Sequence, residues 1–420
     1  MQTKQIAALA ASAVVISINV GHAAPVGDIF YIALENHNFT QPGNYTATQQ
    51  LLGNPAAPYL NSLITPGNPN AAMTSYASNY TNVPVQAAGS ASGAGGVHPS
   101  EPNYVWEEAG LTGARDDSDP YAAGINNNTA LLPATNANNN IINAQNLSSQ
   151  LQNSGLTWKS YQEGIDLAKN GSNQLTNTVL PTNQYTVPLS SFSGTSAAYT
   201  NPYNGSHQFN FAPKHDPQLF FTATNGGNNP TTSNPFSLNY APMEQLATDH
   251  ANNTVAKYNW ITPDQFNDMH TSLTGGFTYN SIHYTGDAAN IAQGDNYLSI
   301  VIPEIEASAA FQNNGVIVIW NDETEGDGAS TAGFTSTEIV ISKLAKGNAY
   351  ANTIGYTHSS DLLTLEGFTG EPCLADACNA TPLTDLFVPG TNFDVSEPVS
   401  LTVFGTGLLG LRIARRRRAG

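Results

Sequence analysis

Positive charge is scarce in this chain. Thirteen lysines and arginines face 31 aspartates and glutamates, a formal net charge of −18 at pH 7. Six of the 13 sit at the two ends: Lys4, Arg412, Arg415, Arg416, Arg417 and Arg418. The body between them keeps seven cations against about 30 acids, roughly −23 by the same convention. Such a body lacks the basic phosphate contacts that nucleic acid requires. It also repels a polyanionic substrate unless a bound metal inverts the local field. Charged residues of both signs make up only 10%. Asn, Thr, Ser and Gly fill the surface instead, a composition common in exported proteins. Cysteine is scarcer still, with Cys373 and Cys378 in EPCLADAC. Two thiols alone make a poor metal site, and C-x4-C in an oxidising compartment reads as a local disulfide. No internal repeat and no domain-separating linker interrupts residues 24 to about 391, which are expected to form one domain.

Both ends read as addressing segments. Lys4, the apolar run Ile6 to Val20 and the small-x-small site Gly21-His22-Ala23 make residues 1–23 a signal peptide. The competing reading is a first core helix. At the other end Ser396-Glu397-Pro398 precedes an apolar stretch, Val399 to Ile413, and then the arginine cluster. That stretch is short for a free-standing membrane span, and its cations would face the cytoplasm. Residues 393–420 resemble the PEP-CTERM sorting signal of Gram-negative bacteria, although the motif's first proline is missing; an ordinary tail anchor is the alternative. The expected location is exported: periplasmic, cell-surface or secreted, with a sorting or processing protease acting on the tail.

Within residues 24–392, three apolar runs each end in acidic or amide side chains. Asp28 to Leu34 runs into Glu35-Asn36-His37-Asn38. Val255 to Ile261 runs into Thr262-Pro263-Asp264, with Asp268 and His270 close behind. Gly315 to Trp320 runs into Asn321-Asp322-Glu323. Runs of this length and β-branched content suit strands buried on both faces of a parallel sheet. In open α/β sheets the ligand site lies beyond the carboxyl ends of the strands. A further strand is expected from Thr157. Helical spacing of apolar residues marks Ile141 to Asn153 and Thr335 to Lys346. The expected fold is therefore α/β, a layered sandwich with a mostly parallel sheet flanked by helices. Oxygen ligands and histidines delivered to one sheet edge from three distant stretches point to a metal-assisted site. The acidic run from Asp322 to Asp327 lacks EF-hand spacing.

The nucleophile candidate is Ser100, in His98-Pro99-Ser100-Glu101-Pro102-Asn103-Tyr104, after a Gly/Ser-rich loop and before a helix expected from about Asn103. Exposed backbone N–H groups at a helix start favour a bound phosphate. Read without context, a serine there is a turn or cap residue. Context comes from motifs in order: Glu35-Asn36-x-x-Phe39, His98 to Tyr104, Trp158-x-x-Tyr161-x-Glu163, Lys214-His215-x-Pro217, Ile261 to His270, Trp320 to Glu323, and His358-x-Ser360 followed by Thr364-x-Glu366. Together they resemble the phosphoesterase family of bacterial acid phosphatases and phosphatidylcholine-type phospholipases C, within the alkaline phosphatase superfamily. They extend from residue 28 to about 380.

The resemblance implies an alkaline-phosphatase-like sandwich and a phosphoric ester hydrolase. Glu35, Asn36, Asp322 and Glu323 would hold a divalent metal (Mg, Ca, Mn, Zn or Fe), and Ser100 would form a phosphoseryl intermediate. His270 and His358, with Asp268 or Asp264, occupy places that hold a second metal elsewhere in the superfamily; here they would contact phosphoryl oxygens or protonate the leaving group. Asn103, Lys214 and His215 would bind a small phosphorylated substrate. Asn321 stands where many relatives have the first acid of the pair, which leaves the Asp322/Glu323 register open. The extra C-terminal domains usual in the phospholipase branch are absent here, which favours a phosphomonoesterase. A phospholipase C-like phosphodiesterase and a non-catalytic surface or matrix protein on the same fold are the alternatives.

Overall fold

The three apolar runs are the heart of one sheet. The computed structural model describes residues 24–45, 49–83, 99–111, 117, 119–120, 141–326 and 332–394. The expected signal peptide, His98 and the sorting tail from residue 395 lie outside the described residues. Eight strands make the sheet: β1 Ile29–Leu34, β2 Thr74–Ala77, β3 Trp158–Gln162, β4 Tyr240–Pro242, β5 Tyr258–Thr262, β6 Val316–Asn321, β7 Glu338–Ser342 and β8 Tyr350–Asn352. Their order is β8-β2-β7-β6-β1-β5-β3-β4. Only β7 runs against its neighbours, so the mostly parallel sheet is as expected. Every residue of β1 and β6 is buried, as strands covered on both faces require.

Alternation along these strands divides the core in two. Ile29, Tyr31 and Ala33 of β1, with Val316, Val318 and Trp320 of β6, face one side. There they pack under helices α1 (Ser100–Ala109), α2 (Leu147–Asn153) and α5 (His358–Thr369). Phe30, Ile32, Leu34, Ile317 and Ile319 face the other side, under α3 (Gln245–Asn252) and α4 (Asp287–Ala307). Both faces of the sheet are thus covered by helices, and each buried aliphatic side chain contributes about 1.5–3 kcal/mol.

Two sequence expectations shift. Thr335 to Lys346, expected as a helix, instead contains β7, whose five residues are all buried between β2 and β6. Its Ile-Val-Ile centre is β-branched, and a short apolar run cannot be assigned by spacing alone. The helix expected over Ile141 to Asn153 begins only at Leu147. Asn146 caps it, its side chain accepting from the Ser149 N–H while Ser149 returns the bond. Cys373 and Cys378 form the expected disulfide.

Candidate active site

Because five of these strands are parallel neighbours, their carboxyl ends share one edge. Glu35 and Asn36 follow β1, Asp322 and Glu323 follow β6, and Asp268 lies six residues beyond β5. The Glu35 N–H donates to the Asp268 carbonyl at 2.7 Å, and the Asn321 side-chain amide donates to the Glu35 carbonyl at 2.5 Å. Asn321 therefore clamps the β1 turn, and the pair entering the site is Asp322/Glu323.

Helix α1 brings the hydroxyl to this edge. Pro99 is its cap residue and Ser100 its first residue; Pro102 fits the first turn, where a missing N–H costs nothing. Gly110 closes the helix with φ 66°, and a Cβ there would meet the Leu374 carbonyl at 2.8 Å. Ser100 Oγ lies 3.0 Å from Glu35 Oε2, 3.2 Å from Asn36 Oδ1 and 3.5 Å from Glu323 Oε1. Asn103, one turn on, donates from Nδ2 to Glu323 Oε2 at 3.1 Å. Tyr104 donates to Glu35 Oε1 at 2.7 Å and stacks on His215, 4.9 Å between ring centres and 9° from parallel. Residues 100, 103 and 104 thus present one helix face to the site.

His215, in the turn after Pro213, is buried between two acids. Its Nε2 is 3.1 Å from Glu35 Oε1 and its Nδ1 is 3.4 Å from Asp268 Oδ2. Burial, then Lys214 and His270, hold His215 well below the ordinary imidazole range, so it is neutral. Burial raises Glu35, opposed by His270 and Lys214 and by hydrogen bonds from Tyr104 and Ser100. Burial, then Glu35, raises Asp268 and Asp322, and the Glu323 charge adds to the rise of Asp322. The Lys214 ammonium is paired with Asp117. Burial opposes its charge, but Asp117, Glu35 and Asp322 together hold its pKa above the usual value.

The two remaining histidines separate. His270 is exposed, with its ring centre 6.0 Å from that of His215, at the mouth of the site. His358 is fully buried behind it. Its Nε2 lies 2.6 Å from the Asp322 carbonyl and 3.2 Å from Asn103 Oδ1, while Nδ1 accepts from Trp320 Nε1 at 3.1 Å. Burial pushes it down to about 3. As a neutral ring gripping the backbone of Asp322, it is placed to position ligands rather than to touch substrate.

The donor set fits a divalent cation. Both carboxylate oxygens of Asp322 and Oδ2 of Asp268 are buried without hydrogen-bond partners. Carboxylates crowded together at such a site favour a hard cation. Glu35, His215 and Asp268 can also each bring one ligand atom within 4.8 Å of the others. Two residues had no assigned role in the sequence reading. Tyr104 lies within the serine motif, four residues after Ser100 and so on the same helix face. His37 is buried with both ring nitrogens lacking hydrogen-bond partners, and burial pushes it down to about 4. Only its place beside Glu35-Asn36 hinted at this.

Comparison with known proteins identifies relatives of the chain. Residues 92–368 match the sequence model of the family described as the Phosphoesterase family. A curated relative, the phosphatidylinositol-3-phosphatase of Mycobacterium tuberculosis (strain ATCC 25618 / H37Rv), is 26% identical over 339 residues, covering 80% of this chain and 78% of the relative. Similar solved structures include a protein in the alkaline phosphatase superfamily from Vibrio parahaemolyticus, at 11% identity and TM-score 0.42, covering 83% of this chain and 68% of that one. Another is Ps i-CgsB, at 10% identity and TM-score 0.44, covering 87% and 76%.

Proposed function

The chain belongs to the phosphoesterase family and is a phosphoric ester hydrolase, and on that premise we propose that it is an exported, metal-dependent phosphomonoesterase using Ser100 as nucleophile. One observation carries the reading: the Ser100 hydroxyl, at a helix N-terminus, has Glu35, Asn36 and Glu323 within 3.5 Å. Glu35, Asn36, Asp322 and Glu323 are the residues to hold the metal. Once bound, a divalent cation lowers the hydroxyl pKa and offsets charge developing on the transferring phosphoryl group.

The chain's own residues supply the rest. Glu35 accepts the Ser100 hydrogen bond and so turns an oxygen lone pair toward the substrate side. The positive end of the α1 dipole lies at Ser100 and favours the phosphoryl oxygens. Asn103 holds Glu323 in place. Lys214 provides a fixed cation in a strongly acidic body. In the first step the Ser100 proton passes to Glu35, to which it is hydrogen-bonded, as the Oγ–P bond forms and the ester P–O bond breaks, and protonated His270 gives the departing alkoxide its proton. Water then attacks the phosphoserine, His270 takes a proton from that water, and Glu35 returns its proton to Ser100, which leaves as the hydroxyl. His215, stacked on Tyr104, sits between Glu35 and Asp268 and can donate its one N–H to either carboxylate.

The mycobacterial relative is named a phosphatase, which supports the monoester reading over the diester one. Export and a protease-processed tail rest on the terminal segments and suit the Cys373–Cys378 bridge. The test is phosphate release from an aryl phosphomonoester, an aryl phosphodiester and phosphatidylinositol 3-phosphate, with and without chelator. Chelator-sensitive turnover of a monoester alone supports the proposal. Turnover of the diester alone refutes the monoesterase assignment.

A further inference from the structure

Beneath the catalytic residues, on the side of the sheet covered by α1 and α5, lies a second group of acids that the reaction does not use. Glu107 comes from α1, Glu338 from β7 and Asp361 from α5, and none is more than 1% exposed. Glu107 is seven residues beyond Ser100, so it continues the same helix face two turns deeper. Glu338 pairs with Trp320 at the start of β7, which places it beside the end of β6.

These carboxylates are incompletely compensated. Both oxygens of Glu107, both of Glu338 and Oδ1 of Asp361 are buried without a hydrogen-bond partner. The hydroxyls of Tyr31 (at 3.4 Å) and Tyr80 both go to the remaining oxygen, Asp361 Oδ2. The Tyr31 hydroxyl also reaches Glu107, and Asp361 reaches Glu338, but both as loose contacts outside regular hydrogen-bond geometry. No described lysine or arginine ion-pairs with any of the three acids. Incompletely paired buried carboxylates are costly, and Asp361 and Glu338 both act on Glu107 as like charges.

His358 completes the group. Its Nε2 faces two acceptors, the Asp322 carbonyl and Asn103 Oδ1, so that nitrogen carries the proton. Its Nδ1 lone pair therefore faces the Tyr80 hydroxyl at 2.6 Å and the Trp320 N–H at 3.1 Å, on the side of the acids; because that N–H also reaches the Tyr80 oxygen at 2.9 Å, Nδ1 can exchange the Trp320 bond for a cation. Glu107, Asp361 and His358 can each bring one ligand atom within 4.8 Å of the other two. A metal-binding imidazole characteristically donates its other N–H to a backbone carbonyl or carboxylate, and His358 does so.

We propose that Glu107, Asp361 and His358 bind a second divalent cation, of the manganese or zinc type, with Glu338 as the adjoining carboxylate. Mixed carboxylate and imidazole donors suit such ions. The ion is structural: no substrate reaches it, but its histidine ligand grips the Asp322 backbone and braces the loop that carries Asp322 and Glu323. It is separate from the catalytic cation and stands or falls independently of the phosphomonoesterase reading.

Crystals of the protein equilibrated with Mn²⁺ would be measured at a wavelength sensitive to manganese. The expected result is anomalous density enclosed by Glu107, Asp361 and His358. Its absence overturns the proposal whether or not density appears near Glu35 and Asp322, so failure here is distinct from failure of the catalytic reading. In solution, metal content after exhaustive dialysis should be one equivalent lower in a Glu107→Gln/Asp361→Asn variant than in the wild type. A folded variant that holds as much metal as the wild type also overturns it. Should the variant not fold, the wild-type diffraction result decides alone, and an anomalous map empty at this position means the acids hold protons instead.

Discussion

Tyr104→Phe isolates a single bond in the site. The substitution removes the hydroxyl that donates to Glu35 Oε1 at 2.7 Å and leaves the ring that stacks on His215 and meets Trp260 and Trp320 edge-on. Glu35 then keeps the Ser100 contact on its other oxygen but loses the donor that fixes its orientation. A hydrogen bond to a charged acceptor is worth about 1.5–3 kcal/mol. At about 1.4 kcal/mol per tenfold change, kcat/KM should fall roughly ten- to a hundredfold. Loss of a group that orients a metal ligand points to the same range, about 10–100-fold in metal affinity or activity. The assay is initial-rate kinetics on an aryl phosphomonoester across a titration of added metal, with thermal melting as a fold control. A higher metal requirement at nearly unchanged melting temperature is expected. A Tyr104→Phe enzyme within twofold of wild type at every metal concentration would show that Glu35 needs no such anchor, and the site geometry would be misread. Tyr104→Ala differs in kind, because it empties a buried aromatic position and should cost about 3–5 kcal/mol of stability.

Three further outcomes follow from the structure. Burial pushes Glu108 up to about 7 despite donors from Ser148 and Gln218, whereas an unfolded glutamate titrates near 4.3. The folded state therefore binds the extra proton between those values, and stability is lost as pH rises through that window, by about 4 kcal/mol for this group. Asp264, at about 7, and Asp361, at about 8, act with the same sign. The chelated protein should melt at a higher temperature at pH 5 than at pH 8, and the reverse order would contradict this. Replacing Cys373 and Cys378 by serine opens a short loop, so loop-closure entropy predicts a loss of about 2 kcal/mol in denaturant unfolding, with turnover retained. Lys214→Met removes the fixed cation near Glu35 and Asp322 and should raise KM about tenfold or more, with a smaller change in kcat; an unchanged KM would remove Lys214 from substrate binding.

Much of this arrangement is legible in the amino-acid sequence. The apolar runs ending at Leu34, Ile261 and Trp320 announced strands buried on both faces, and their polar sequels marked the edge where ligands gather. Motif order brought Ser100, Asn103 and His215 to that edge, where Glu35, Asn36 and Glu323 surround the hydroxyl. Depth was not legible. His270 and His358 read alike as histidines after polar turns, yet one is exposed at the mouth and the other is sealed beneath Asp322. That difference is set by α5 packing on α1, a contact between residues about 250 positions apart. Glu107 and Glu338 were invisible for the same reason, since a lone acid in a helix or before a strand reads as solvated surface. The exchange of helix for strand at β7 has a local cause: Glu-Ile-Val-Ile-Ser satisfies both periods, and only its neighbours β2 and β6 decide.

The central claim is that Ser100 takes the phosphoryl group. Rapid acid quench of enzyme turning over an aryl phosphomonoester, followed by intact-mass and peptide mass spectrometry, tests it most directly. The account predicts a phosphoryl adduct on the peptide carrying Ser100, absent from Ser100→Ala and from chelated enzyme, together with loss of turnover in both. Turnover by Ser100→Ala at near wild-type rate, or an adduct on any other residue, would contradict it.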